Sequence, residues 1–188
     1  DLPVDTIPGL VFAQPGRVDG GAGANNTLVL QSVLPSAGTG SGAGGSPPEI
    51  SGDVYVNFDN LVINSGTWNL TGPAVVGSAV TLNSGLANIT NNDVLGSAQI
   101  TANGGTITGP ASGLLLDNDF VLGAGGLTLA GNNDILLDGT ISGRGGLTVA
   151  GPAVVVMNGA NTYTGLTTIQ SGSALDTGTQ SVRGDILN

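Results

Sequence analysis

The aspartates have the clearest capacity for chemistry in this sequence. Asp117 and Asp119 flank Asn118, and Asp134 and Asp138 lie together in the segment GNNDILLDG. Two carboxyl groups at a suitable separation can act as acid and base on a glycosidic bond. Aspartate is also frequent in turns, where its side chain accepts hydrogen bonds from local backbone. The sequence leaves both interpretations open, and we favour the turn role.

The composition removes most other kinds of catalytic and metal-binding site. Histidine and cysteine are absent, which excludes disulfides, thiol nucleophiles, histidine-based triads and the usual zinc sites. The net charge is −10, from 13 acidic and 3 basic residues, so nucleic acids and anionic membrane surfaces are disfavoured partners. We therefore expect no catalytic residues, no cofactor and no metal.

Two other patterns could bind a ligand. The run GGAGAN at 20–25 loosely resembles a calcium-binding nonapeptide repeat, but it occurs once, and such a site needs aligned copies. Tyr55, Phe58 and Trp68 could offer aromatic surface to a carbohydrate or a protein. Trp68 lies two places before Leu70, so both face the same side of a strand, and we expect both to pack inward.

A sequence repeat with a period of about 20 residues determines where these groups lie. The segment GGLTLAG at 125–131 recurs as GGLTVAG at 145–151. An aliphatic marker residue, two places before a turn residue, recurs once in each repeat. The markers are Leu70, Ile89, Ile107, Leu129, Val149 and Ile169. Stepping back by one repeat extends the series to Ile50, and a second step extends it to Leu30.

Two apolar clusters follow each marker, and turn residues separate them. Each repeat therefore has three short apolar stretches separated by Gly, Asn, Asp or Pro, and none is long enough for a helix. This pattern predicts an all-β fold, a right-handed parallel β-helix, which is a single-stranded solenoid with three short strands in every coil. A leucine-rich repeat requires a fixed LxxLxLxxN frame, and a β-sandwich does not require a constant offset, so both fit less well.

The chain is expected to have three regions. Residues 1–34 contain three prolines and are predicted to form an atypical coil or cap, because an end coil must hide an open sheet edge. Residues 35–48 are rich in Gly, Ser and Pro and are predicted to be a loop. Residues 49–188 are predicted to form the β-helix coils.

The stretch 141–175 carries the most specific motif. It reads ISGRGGLTVAGPAVVVMNGANTYTGLTTIQSGSAL and resembles the passenger-associated transport repeat, also called the autotransporter-associated β-strand repeat. The most specific matching residues are Gly159, Ala160, Asn161, Thr162, Tyr163, Thr164, Gly165, Thr167, Thr168 and Ile169. Val149 and Leu166 depart mildly from the pattern of that family. Within the repeat, we expect Tyr163 to pack inward, and Asn161 and the following threonines to bond to the backbone of a neighbouring coil.

The resemblance implies a passenger segment of a Gram-negative autotransporter. Such a segment is a non-catalytic β-helix stalk, exported through the periplasm by an outer-membrane barrel of the same parent chain, that supports secretion and adhesion or aggregation at the cell surface. Its partners would be a host surface protein, a glycan or another copy of itself, without nucleic acid and without membrane insertion by this segment. The alternative function is a polysaccharide-active β-helix enzyme, a glycosidase or lyase that uses paired aspartates. Aspartates converging in one groove would favour the enzyme.

Overall fold

A computed structural model describes residues 11–14, 16–23, 25–32, 47–178 and 182–188. The predicted loop at 35–48 lies outside the described residues except for Pro47 and Pro48. All regular secondary structure within the described ranges is β-strand. In chain order the strands are β1 Val11–Gln14, β2 Arg17–Asp19, β3 Thr27–Leu30, β4 Glu49–Ser51, β5 Tyr55–Val56, β6 Asn60–Ile63, β7 Thr67–Thr71, β8 Ala79–Leu82, β9 Leu86–Ile89, β10 Gln99–Ala102, β11 Thr106–Thr108, β12 Leu114–Leu116, β13 Phe120–Leu122, β14 Leu127–Ala130, β15 Ile135–Leu137, β16 Ile141–Gly143, β17 Leu147–Ala150, β18 Val154–Met157, β19 Thr167–Ile169, β20 Ala174–Asp176 and β21 Ile186–Leu187.

Apart from β1, which pairs antiparallel with β2, these strands stack in parallel as a β-solenoid of about 7 turns, with coils of the length that the repeat predicts, which confirms the predicted fold class. Each coil visits three sides in order. The first side is one sheet of eight strands, β4, β7, β9, β11, β14, β17, β19 and β21. The third side is one sheet of six strands, β3, β6, β8, β10, β13 and β16. The second side carries a small sheet of β1, β2 and β5 near the start of the chain and a sheet of β12, β15, β18 and β20 near its end.

Columns of aliphatic side chains hold the coils together. On the first side Leu129 pairs with Ile107 on one neighbouring coil and with Val149 on the other. All three side chains are buried because alternate residues of a strand point to the same face. Burying a side chain of this size contributes about 1.5–3 kcal/mol, so each added coil is stabilised by the one beneath it.

Two positions of the marker series were assigned wrongly. Ile107 pairs with Ala87 rather than with Ile89, because β11 ends at Thr108 before the turn at Gly109. Leu30 lies on the third side, where it pairs with Ile63, and not on the first side beside Ile50. The segment after β3 makes this coil longer than the others, so a step of one average repeat does not reach the equivalent position.

The second side is interrupted for two successive coils. Residues 72–78 and 91–97 form turns and bends there. Three strands per coil are present in the coils β4–β5–β6, β11–β12–β13 and β14–β15–β16, and after β16 the described residues of the third side form an isolated bridge, Ile141 with Asn161, in place of a strand. Pro73 lacks a backbone N–H, and residues 91–93 read Asn-Asn-Asp, residue types that favour turns over strands. Val75, Val76, Val94 and Leu95 still fill the interior, and the Val75 N–H donates to the Val94 carbonyl at 3.0 Å.

Amide side chains form a ladder after the third-side strands. Asn83 Nδ2 donates to Asn64 Oδ1 at 2.9 Å, and Asn103 Nδ2 donates to Asn83 Oδ1 at 2.9 Å. At the next coil Gly123 lies against Asn103 Oδ1, so close that a Cβ atom there would overlap it. The ladder therefore ends where a glycine replaces asparagine.

Glycines mark the corner that leads into the first side. A Cβ atom on Gly145 would overlap the backbone oxygen of Gly123, and one on Gly165 would overlap the backbone oxygen of Gly145. Gly184 has the same relation to Gly165. The recurring glycine before Leu-Thr is thus required by the close approach of successive coils at this corner.

Replacing Gly145 by alanine should lower the free energy of unfolding by about 2–4 kcal/mol, because the new methyl group meets rigid backbone rather than a movable side chain. Gly77→Ala is the matched control, since nothing lies within 4 Å of a Cβ atom at that position. Urea unfolding followed by circular dichroism measures both variants. Equal stability of the two variants would contradict this account of the corner.

Candidate functional site

Asp134 and Asp138 are parts of the inter-coil bonding. Asp134 Oδ1 accepts the Val154 N–H at 3.0 Å, and Asp138 Oδ1 accepts Asn158 Nδ2 at 2.8 Å. The two residues of each pair occupy equivalent positions on successive coils, so each carboxylate ties one coil to the next. The structural role favoured from the sequence fits these two aspartates, but the predicted bonds to local backbone were wrong, because both carboxylates accept from the next coil.

Asp119 is also engaged with the next coil. Its Oδ1 accepts the Thr140 hydroxyl at 2.7 Å and the Thr140 N–H at 2.8 Å. The side-chain bond and then the backbone bond lower the pKa of Asp119, because both stabilise the ionised carboxylate. Asp119 is thus suited to accept hydrogen bonds and unsuited to serve as a general acid.

A groove of about 750 Å³ opens where the second side is interrupted. We call it the side groove; its lining residues are Gly72, Pro73, Ala74, Asn91, Asn92, Asp93, Gly96, Leu115, Asp117 and Asn118. A smaller depression of about 300 Å³ adjoins it, shares Asp117 and Asn118, and adds Asp119. The groove exists because two turns, rather than two strands, precede β12 on this side.

Two asparagines shape the side groove. Asn92 Oδ1 accepts the Leu115 N–H at 2.9 Å and so caps the edge of β12 in place of a strand. Asn118 is buried, and its Nδ2 donates to the carbonyls of Gly96 at 3.0 Å and Ala98 at 2.8 Å. These bonds fix the carboxamide, and no donor among the described residues bonds Asn118 Oδ1.

The side groove carries negative charge. Asp93 and Asp117 are exposed in it, and neither carboxylate accepts a hydrogen bond from the described part of the chain. No arginine of the described ranges lines the groove or the adjoining depression. The structure thus brings Asp117 and Asp119 together with Asp93, and it places Asp134 and Asp138 outside this groove. The sequence prediction missed Asn92 and Asp93, although the run of three turn-forming residues at 91–93 was a usable signal.

The transport-repeat motif packs into the interior. Tyr163 is fully buried, as predicted, and its hydroxyl lies 2.8 Å from Thr167 Oγ1. Burial raises the pKa of Tyr163, and the hydrogen bond with Thr167 partly offsets this rise. Thr162 N–H donates to the Ile141 carbonyl at 2.7 Å, and the Thr162 hydroxyl lies 3.5 Å from the same oxygen.

Asn161 behaves differently from the prediction. It pairs with Ile141 and is 5% exposed, so it occupies an inward position on the third side. Neither its Nδ2 nor its Oδ1 has a hydrogen-bond partner among the described residues. The predicted bond to a neighbouring coil was wrong, because the side chain points into an apolar column and away from the coil backbone.

The aromatic residues pack against the interior. Trp68 is partly buried against the core, as predicted, Tyr55 is also partly buried against it, and Phe58 is buried. Trp68 aligns with Ala87 on the next coil, and its Nε1 donates to the Ser65 carbonyl at 2.8 Å. These residues support the rod and leave little aromatic surface for a ligand.

The chain matches no protein family, no characterised protein and no solved structure in comparisons made with each. Among the described residues, no group of three or more His, Cys, Asp or Glu side chains is placed to hold a metal ion. Those residues also contain no helix of the length and apolarity needed to cross a membrane. The rod, the motif and the groove are therefore the features that bear on function.

The two buried asparagines should respond oppositely to the same substitution. Asn161→Leu should raise the free energy of unfolding by about 1 kcal/mol, because leucine continues the apolar column and removes an unsatisfied amide. Asn118→Leu should lower it by about 2 kcal/mol, because the carbonyls of Gly96 and Ala98 lose their donor. Urea unfolding measures both changes. A loss of stability in Asn161→Leu would contradict the placement of Asn161 as an unsatisfied amide in an apolar column.

Proposed function

We propose that this chain is a non-catalytic stalk segment of a surface-displayed passenger, exported by an outer-membrane barrel of the same parent protein. The observation that carries the proposal is the motif at 159–169, which fits into an uninterrupted stack of coils. Ile141 pairs with Asn161 in an isolated bridge and Leu147 pairs with Thr167 in a strand, so the motif covers the third side of one coil and the start of the next first side.

The rod is suited to export in an extended state. Strands of one coil pair with strands of the coils directly before and after it, as on the first side, where β14 pairs with β11 and β17. A coil that emerges from a membrane pore can therefore fold onto the preceding coil without waiting for distant parts of the chain. Each such step buries apolar side chains outside the cell, which favours continued movement outward.

Composition supports the same role. The net charge of −10 and the scarcity of aromatic residues suit a solvated, slender rod better than a compact catalytic domain. Adhesion or aggregation would use the outer faces and loops of such a rod, and its partners would be a host surface protein, a glycan or a second copy of the chain.

A pair of deletions that keep the coil register tests the proposal. Removing residues 147–166 joins Gly146 to Thr167, the residue that pairs with Leu147, and deletes one coil with most of the motif. Removing residues 127–146 joins Gly126 to Leu147, the residue that pairs with Leu127, and deletes one coil without the motif. With the segment placed between a signal peptide and an autotransporter barrel, we expect the first deletion to reduce surface display several-fold and the second to leave it nearly unchanged. Protease accessibility on intact cells measures display, and equal display of both deletions would argue against the proposal.

A second candidate function is cleavage of a polysaccharide, favoured by the presence of Asp93 and Asp117 in one groove. It ranks second because Asp119, the third carboxylate nearby, is held ionised and bonded by Thr140. If it is right, reducing ends should appear when the chain is incubated with neutral polysaccharides. Asp117→Asn should abolish that release, and Asp185→Asn, in the last coil, should preserve it.

A further inference from the structure

The side groove differs from the rest of the rod in lacking strands on one side. On the other two sides every coil from β6 to β13 presents a strand to its neighbour, whereas the groove replaces two strands by turns. The edge of β12 that faces it is covered by a single side chain of the described residues, Asn92. A groove of about 750 Å³ can bury more of a ligand than a flat side of the solenoid can.

Charge restricts the class of ligand. Asp93 and Asp117 line the groove, Asp119 lies in the adjoining depression, and no arginine of the described ranges lines either. An anionic ligand would be repelled, whereas ammonium or guanidinium groups would form charge-assisted hydrogen bonds with Asp93 and Asp117, whose carboxylates have no partner among the described residues.

The polar lining includes an acceptor that is held in place. Asn118 is 5% exposed, and both of its donor contacts go to backbone, to Gly96 and Ala98. Its Oδ1 has no donor among the described residues, and the residue lines both the groove and the depression beside it. Solvent reaches this oxygen from the groove, so it is available to accept a hydrogen bond from a ligand that carries N–H groups.

Apolar surface lies beside these polar groups. Leu115 is half-buried on the outer face of β12, and Leu136 and Val156 follow it at equivalent positions on the next two coils. These three side chains form an outward apolar stripe that begins in the groove and continues along a third depression. A ligand seated in the groove can therefore extend onto this stripe.

We propose that the side groove binds an extended peptide that carries lysine or arginine side chains among apolar ones. Such a peptide supplies cations for Asp93 and Asp117, backbone N–H groups for Asn118 Oδ1, and apolar side chains for the stripe at Leu115. A neutral saccharide lacks the cations, and a simple polyamine lacks the apolar groups. This inference depends on the groove alone and holds whether or not the chain belongs to an exported passenger.

The test uses a fluorescent, acetylated and amidated hexapeptide that alternates lysine with valine. Its binding to the chain is compared with that of the same peptide carrying glutamate in place of lysine, and with maltohexaose. Fluorescence anisotropy reports the peptides and isothermal calorimetry reports the saccharide. We expect the lysine peptide alone to bind, with an affinity that falls as salt is raised.

Matched variants separate the groove from the general negative charge of the chain. Asp93→Asn with Asp117→Asn should weaken binding of the lysine peptide about tenfold, because two charge contacts are lost. Asp185→Asn, an exposed aspartate in the last coil, should change it less than about twofold. Leu115→Ser should weaken binding without changing any charge. In the unaltered chain, the peptide should shift the amide resonances of Asp93, Leu115 and Asp117 and leave that of Asp185 in place.

Three results would overturn the proposal. If Asp185→Asn weakens peptide binding as much per removed charge as the groove variant does, the peptide is attracted diffusely to an acidic rod. If the peptide shifts amide resonances all along the rod of the unaltered chain, this also indicates diffuse attraction. Binding of maltohexaose in the groove, with no binding of the lysine peptide, would assign the groove to a saccharide.

Discussion

Vertical pairing of the backbone is the constraint on which the rest of this structure depends. A coil of three short strands cannot satisfy its own N–H and C=O groups, so each must find a partner on the coil above or below. The register is set by this requirement: Leu127 pairs with Leu147 and Leu147 with Thr167, at the same offset in the chain. Side chains then stack in columns whether or not their types suit one another, and the composition of each column follows from the pairing.

The columns explain which residues are tolerated. Aliphatic residues fill the interior because the inward positions of successive strands are buried. Amides are tolerated outside it because Asn64, Asn83 and Asn103 can bond to one another from coil to coil. Glycine is required where two coils approach closely, as at Gly145. Asn161 is the exception, an amide in an apolar column, and it lies within the segment that resembles a transport repeat.

Much of this fold could be predicted from the sequence because the same short residue pattern recurs in successive coils. The recurrence of GGLT in successive repeats was enough to place Leu129 beside Val149. The prediction failed where a coil departs from the average length, as at Leu30, where the chain after β3 is longer, and at Ile107, where β11 stops early.

The side groove could not be predicted, because it arises from strands that are missing on one side, and an absent strand leaves no periodic signal. Asp117 and Asp119 were recognised as chemical groups, but the sequence did not show that Asp117 lines a groove while Asp138, at the equivalent position of the next coil, is bonded to Asn158. The interruption of the second side also has a mechanical consequence. From β12 to β16 the column has sheets on three sides, and near the start of the chain β2 and β5 add a third sheet, but the two coils between have sheets on only two sides. Hydrogen bonds between coils resist tilting of one coil against the next, and fewer of them span this zone. A sideways load will therefore bend the rod more easily at residues 72–97 than between β12 and β16, and the curvature will open or narrow the side groove beside Leu115.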